Sequence, residues 1–286
     1  MDPRETLTHA LPRFLRRCDA ESTREAYERE LRRFLAWLPA ATTDETLFDY
    51  RDHLRAKGLG PTTIRWRTTV ARSFLLFAQR RGVLDRDLVA DFRPPKGKAG
   101  FVPRVLTQAE LDRLIAAPDR RTAKGRRDAA VLVCLGVGGL RAGEVCRLNV
   151  GDVEARPDCV VLTVNGKGRK QRHVPIIGPR AALILPYKRM LVGDQEPDAP
   201  LFCAGIRLDH RLAVAGVDYL VRQAAEAAEI PALHPHALRH TAATHETNRG
   251  VPLPTVQAKL GHSSVVTTMR YIRPAEQGLW RAGARK

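Results

Sequence analysis

Cysteine is scarce and shows no pairing pattern. The five residues Cys18, Cys134, Cys146, Cys159 and Cys203 are odd in number, scattered, and form no C-x-x-C pair. That excludes a disulfide frame or a zinc knuckle and fits reduced thiols in a cytosol. Long apolar runs are missing too. The longest nearly uncharged one, Ala129 to Leu140, is too short to cross a bilayer, so no membrane partner is expected. The opening MDPRETLTHAL has no apolar stretch behind a basic start, so no secretory signal is expected. Internal repeats and low-complexity tracts are absent. Acidic residues are in deficit: 31 Asp and Glu face 48 Lys and Arg, a formal net charge of +17. Up to Arg93 the balance is 18 basic against 14 acidic residues; beyond it, 30 against 17. An excess of that size repels itself unless an anionic partner neutralises it, which points to a polyanion such as nucleic acid.

What remains is a chain of 286 residues, 44% hydrophobic, with room for one large domain or two smaller ones. The front third reads as helices. STREAYERELRRFLAWL opens on a capping pair, Ser22 and Glu25, and sets Tyr27, Leu31, Phe34, Leu35 and Leu38 on one stripe. A second capping pair, Thr42 and Glu45, predicts a helix through Leu54. A third helix enters through Pro61 and ends near Gly82, with Val70, Phe74, Leu75, Phe77 and Ala78 as its apolar face. Arg65, Arg67 and Arg72 lie in its earlier part and are candidate phosphate contacts, although a solvated basic face explains each one equally well. RPPKGKAGFVPR has adjacent prolines, two glycines and no periodicity, and reads as a linker with Lys96 and Lys98 as further DNA candidates. The expected boundaries are a helical domain over 1–93, a basic linker over 94–104 and a second domain over 105–286. That second domain opens on the capping box Thr107 and Glu110. It continues as helices, a hairpin (CVVLTV and RHVPII, with Asn165-Gly166 as the turn signal), then helices again.

The stretch HPHALRHTAATH, residues 234–245, holds four histidines and an arginine. Its spacing alone is open to a metal site, to core histidines, or to an acid/base station beside an anion. His236 and His240 stand at i,i+4, but no H-E-x-x-H motif or cysteine ligand set accompanies them, so no metal is expected. Attack on a phosphodiester needs fixed cations for the non-bridging oxygens, a nucleophile, and a proton donor for the leaving oxygen. Arginine serves the first need through its permanent charge and bidentate fork. In GGLRAGEVCRL, Arg141 follows two glycines and Glu144 stands one turn on, where it can hold that guanidinium. Lys167 sits at the hairpin tip beside Arg169 and Lys170. His236 and Arg239 share a helical face. LGHSS presents His262 after a glycine turn, and Tyr271 follows nine residues later.

Taken together, GLRAGEV, NGKGRKQRHVPI, HALRHTAATH and LGHSSVVTTMRY resemble the tyrosine recombinase (phage integrase-like) family, in which Arg, a hairpin Lys, His-x-x-Arg, His or Trp, and Tyr occur in that order. Here the order falls on Arg141, Lys167, His236 with Arg239, His262 and Tyr271. The front third resembles the helical core-binding domain of such proteins, so the likeness spans nearly the whole chain. The resemblance implies a mainly α fold with a small antiparallel β-sheet, arranged as a two-domain DNA clamp. It also implies a transesterification without cofactor, in which Tyr271 attacks a DNA phosphate, leaving a 3′-phosphotyrosyl link and a free 5′-hydroxyl. A tyrosine hydroxyl ionises only near pH 10 unless helped by a base or cationic surroundings. His236 is the candidate base. Arg141 and Arg239 would clamp the non-bridging oxygens, His262 would add a hydrogen bond, and Lys167 would protonate the leaving oxygen. Glu144 and His240 would support them from behind. The implied partners are double-stranded DNA carrying inverted-repeat half-sites and three further recombinase copies, identical or related, in a prokaryotic cytoplasm at the nucleoid.

Two features depart from the family pattern. THETNRG is polar at Glu246 and Thr247 where apolar residues are usual, and Pro252 and Pro254 crowd the next helix start. Fifteen residues follow Tyr271, as in the compact Xer-like members; Leu279 and Trp280 there are expected to dock on a neighbouring subunit. The lack of an added N-terminal arm-binding domain argues against the large phage-integrase layout. A type IB topoisomerase, or a DNA-binding regulator with a silent site, remains an alternative at this point.

Overall fold

The computed structural model describes residues 3–84, 87–95, 104–166, 171–192, 196–204, 210–231 and 233–261. The chain divides into two compact units, Met1–Phe101 and Val102–Lys286.

The first unit is helical: α1 (Pro3–Leu15), α2 (Glu21–Trp37), α3 (Thr46–Ala56) and α4 (Pro61–Arg80). Leu7, Ala10, Leu11, Phe14 and Leu15 recur at helical spacing and bury α1 against α2 and α4, a helix the sequence reading did not single out. The apolar face expected for α4 is buried, and Gly82 closes that helix at φ +66°. Both capping pairs expected here are corrected. α2 is capped by Ala20, whose carbonyl takes the N–H groups of Thr23 and Arg24, so Ser22 falls inside the helix. α3 begins at Thr46 with Glu45 at the cap. Its entry turn is closed by Thr43, whose N–H donates to Thr46 Oγ1 at 2.8 Å and whose carbonyl takes the Thr46 N–H at 3.1 Å. Local backbone turns displaced the side-chain caps in both places.

Among the described residues of this unit, Glu30 is a buried acid. Glu30 is 1% exposed, accepts a hydrogen bond from Tyr50 Oη at 2.9 Å, and lies 3.5 Å from Arg33 and 3.4 Å from Arg67. Burial, then the Glu30 charge, pushes the Tyr50 hydroxyl well above its usual value, so it stays a proton donor. Arg67 is thereby held by an internal partner, and Arg72 donates from Nε to the Phe92 carbonyl at 3.1 Å. Of the three arginines offered as phosphate contacts on α4, Arg65 is exposed, while Arg67 and Arg72 serve the framework.

The second unit is α5 (Gln108–Ala116), α6 (Ala123–Gly136), α7 (Ala142–Arg147), β1 (Val153–Ala155), β2 (Cys159–Asn165), β3 (Gln171–Ile177), α8 (Ile184–Val192), β4 (Cys203–Ala204), β5 (His210–Arg211), α9 (Val214–Ala227), α10 (Pro235–Asn248) and α11 (Leu253–Leu260). β1, β2 and β3 form an antiparallel sheet in that order, and β4 pairs with β5. α6 is buried along most of its length, enclosed by α5, α8 and α10, and its second half, Ala129 to Gly136, carries no charge. The Thr107–Glu110 capping box opens α5 as expected, with reciprocal bonds of 3.2 and 2.7 Å. The hairpin is present, but Asn165 pairs with Gln171 inside the ladder. The connection is therefore residues 166–170, longer than a two-residue Asn-Gly turn, and Lys167, Arg169 and Lys170 lie outside the described residues, as do Lys96 and Lys98.

Tyr50→Phe removes the neutral donor from a buried carboxylate and leaves its arginines in place. It is expected to lower the stability of the first unit by about 1–2 kcal/mol, read as a lower urea midpoint at an unchanged denaturant slope.

Candidate active site

The site grows from one glutamate. Gly139 adopts φ +68°, and a Cβ there would lie 2.6 Å from Leu260 Cδ2, so only glycine lets the chain turn this close to the end of α11. Two residues later Arg141 becomes the N-cap of α7, and Glu144 sits in that helix's first turn. The Glu144 carboxylate is 3% exposed and receives four hydrogen bonds. Arg141 gives two, from its backbone N–H to Oε2 and from Nη1 to Oε1, both 2.8 Å. Arg172, on β3, gives the other two, from Nη1 to Oε1 at 3.0 Å and from Nη2 to Oε2 at 2.8 Å. Arg239, on α10 and 1% exposed, brings Nη1 to 3.8 Å from Oε2. Burial works to raise the carboxyl pKa. The Arg172 hydrogen bonds, the Arg141 backbone bond and the two guanidinium charges override it, and the group sits at about 2.

The same three arginines converge on the C-terminus of α11. Arg172 Nε donates to the Lys259 carbonyl at 2.8 Å, Arg239 Nη2 to that of Leu260 at 2.6 Å, and Arg141 Nη2 to that of Gly261 at 3.3 Å. Arg239 Nη1 also donates to the Gly139 carbonyl at 2.7 Å. The last carbonyls of a helix lack intrahelical donors and form the negative end of its dipole, so three cations suit them. Gly261 ends α11 at φ +67°, where the glycine turn was expected. His262 and Tyr271 lie outside the described residues.

The four histidines of residues 234–245 have four different surroundings. His234 caps α10, its Nδ1 accepting from the Ala237 N–H at 3.2 Å. His236 is exposed at the rim, stacked with His234 at 6.4 Å and edge-to-face with the buried His240 at 4.5 Å. His245 Nε2 meets the Leu106 carbonyl at 2.8 Å. Partial burial, followed by the charges of Arg239, His234 and Arg141, holds His236 below its usual pKa, so its imidazole is neutral at neutral pH. Among the described residues no group of three or more His, Cys, Asp or Glu is placed to hold a metal ion. The polar departure at Glu246 has a local cause: its carboxylate takes Lys259 Nζ at 2.8 Å, tying α10 to α11.

Arg141, Glu144, Arg239, His236 and His240 are thus brought together. Arg172 was missed. Its signal was faint, an arginine two residues after the loop that carries Lys167, because its partners are distant in sequence. Three guanidiniums against one carboxylate leave two positive charges in excess within this group. Arg141 is the exposed member, 47% against 13% for Arg172 and 1% for Arg239. Chemically this is a cluster with excess positive charge and one exposed guanidinium, with a neutral imidazole at its edge.

Residues 104–277 match the phage integrase family, and residues 13–82 match the phage integrase N-terminal SAM-like domain. The chain belongs to the phage integrase family. It is 34% identical over 295 aligned positions to tyrosine recombinase XerD of Ralstonia nicotianae, covering 95% of this chain and 92% of that protein. It is 37% identical over 268 positions to tyrosine recombinase XerC of Mycobacterium bovis, covering 88% of each. These relatives identify the phage integrase member as a tyrosine recombinase, an enzyme that cleaves and rejoins DNA, and favour neither the topoisomerase nor the silent-regulator alternative. The fold matches that of the XerH site-specific recombinase bound to palindromic difH substrate (TM-score 0.74, 19% identity, 92% of this chain and 79% of that one). It also matches a lambda integrase dimer bound to a COC′ core site (TM-score 0.74, 16% identity, 93% and 94%).

A carboxylate moved from 4.5 to about 2 by the native structure adds about 3 kcal/mol of stability at neutral pH. Because its folded pKa is depressed, that contribution is present above pH 4.5 and is lost as pH falls toward 2. Glu144→Gln is therefore expected to unfold more easily than wild type at pH 7, with the gap closing on acidification between these limits. Urea unfolding followed across pH measures this, and a gap independent of pH contradicts it.

Proposed function

We propose that this chain is a site-specific recombinase that cuts and rejoins duplex DNA through a 3′-phosphotyrosyl intermediate on Tyr271. The observation that carries this reading is the arginine cluster around Glu144, with an exposed guanidinium and an excess of positive charge beside the neutral His236.

Arg141 and Arg239 hold the non-bridging oxygens of the scissile phosphate, and His262, next in the chain after the Gly261 cap, donates a further hydrogen bond. The Tyr271 hydroxyl attacks phosphorus and its proton passes to His236. The bond to the 5′ oxygen breaks, and that oxygen takes a proton from Lys167. A 5′-hydroxyl from a partner strand then attacks the phosphotyrosine, remaking the backbone and releasing Tyr271. Ester energy is conserved throughout, so no nucleotide cofactor is needed.

Residues 1–93 form the core-binding domain, 94–104 a basic strap with Lys96 and Lys98 on the backbone, and 105–286 the catalytic domain. Both domains contact duplex DNA. Arg65, Arg169 and Lys170 add phosphate contacts, which suits the net charge of +17. Four copies, identical or mixed with a related recombinase, assemble on inverted-repeat half-sites, and the segment with Leu279 and Trp280 docks on a neighbour. A tetramer of lambda integrase bound to a Holliday junction shares the fold. The work is done in the cytoplasm, on nucleoid DNA.

Half-sites selected by the protein from a random-sequence duplex pool, built into a nicked duplex, supply the test. Wild type is expected to give an SDS-resistant protein–DNA band and Tyr271→Phe none, with binding unchanged. Arg141→Lys and Arg239→Lys keep charge but lose the fork, and are expected to slow cleavage by about 10²-fold. A band from Tyr271→Phe contradicts the nucleophile assignment.

A further inference from the structure

The catalytic set proposed above does not include Arg172, yet this residue makes as many contacts in the site as Arg141. Each of its three guanidinium nitrogens is engaged inside the protein: Nη1 and Nη2 on Glu144, Nε on the Lys259 carbonyl. Its side chain is 13% exposed. A Cβ built on Gly261 would lie 3.0 Å from its Nη1 and 3.1 Å from its Cζ, so the Arg172 guanidinium packs against the α11 cap.

A carboxylate offers about four acceptor positions. Arg141 takes two on Glu144, one of them through its backbone, and Arg172 takes the other two. Arg141 therefore spends a single side-chain nitrogen on the glutamate. Without Arg172, two acceptor positions of a buried anion would stand open. The nearest mobile donors are the remaining N–H groups of Arg141, which would close into a two-pronged pair with Glu144 and turn away from solvent. A carboxylate shared by two guanidiniums, Arg141 and Arg239, also cancels the charge of each more fully than one shared by three.

We propose that Arg172 is a positioning residue for the phosphate clamp: it saturates Glu144, so that Arg141 keeps its charge and its outward donors for the scissile phosphate, and through Lys259 it fastens the end of α11 to the same carboxylate. The proposal rests on the reading of Arg141 as a clamp residue.

The test uses the full chain and the nicked duplex of selected half-sites, made in two forms: the ordinary phosphodiester, and a methylphosphonate at the scissile position, which lacks one anionic oxygen. Arg172→Met is expected to slow adduct formation by about tenfold or more on the phosphodiester, with DNA affinity held within about threefold and the deficit clearly smaller on the methylphosphonate. Adding Glu144→Gln to Arg172→Met removes the carboxylate charge from Arg141, so the double variant is expected to be faster than Arg172→Met alone. Should Arg172→Met melt below the assay temperature, Arg172→Lys makes the same comparisons, because one ammonium cannot fill two carboxylate positions and reach Lys259. A folded variant with a wild-type rate, an equal deficit on both duplexes, or a double variant slower than the single overturns the proposal. A wild type that forms no adduct overturns the recombinase reading and this proposal with it.

Discussion

The buried Glu144 carboxylate organises an arginine cluster in the second unit. Glu144 is shielded from water, and an ionised acid there is tolerable only with full compensation. It receives that from Arg141 and Arg172 by hydrogen bonds and from Arg239 by charge. The cations are fixed in turn by the carbonyls of Lys259, Leu260 and Gly261 at the end of α11. Each partner answers the other's cost: the helix end needs donors, the acid needs cations, and three guanidiniums supply both. Four segments distant in the chain, around residues 141, 172, 239 and 260, are thereby locked together.

α10 forms the other wall and shows how one residue type is divided by environment. Its histidines cap a helix, line a rim, pack behind that rim and hold a backbone carbonyl. The last of these lies on the segment entering the unit: Leu106 accepts from His245, and its N–H donates to Thr241 Oγ1 at 3.0 Å. The path into the catalytic unit is thus tied to the helix that carries His236 and Arg239. The first unit repeats the principle on a smaller scale, with Glu30 buried among Tyr50, Arg33 and Arg67. In both units a buried acid gathers arginines of different exposure: Arg67 and Arg172 are drawn inward, while Arg33 and Arg141 stay half-exposed.

Much of this was legible from spacing, because it is local. Thr107 and Glu110 close a capping box over three residues, Pro61 opens α4, Gly261 ends α11, and Arg141 with Glu144 forms an i,i+3 pair at a helix start. The helical front third, the hairpin and the ordered series from Arg141 to Tyr271 follow from patterns no longer than a turn or a motif. The caps at Ser22 and Thr42 failed for a local reason too: backbone carbonyls and Thr46 Oγ1 closed those turns instead.

The sequence by itself determined the polyanion preference, the helical periodicities, and which residue types and family motifs are present. Only the tertiary structure decided which charges face one another. Arg172 meets Glu144 across 28 residues and Lys259 across 87, and nothing in the spacing marks it apart from its basic neighbours. Arg67 and Arg65 stand two positions apart on one helix, yet a buried glutamate reached from α2 holds the first and leaves the second exposed. The reason is desolvation: an ion's role depends on how much water it has lost and which partner replaces it, and both are set by distant segments packing together.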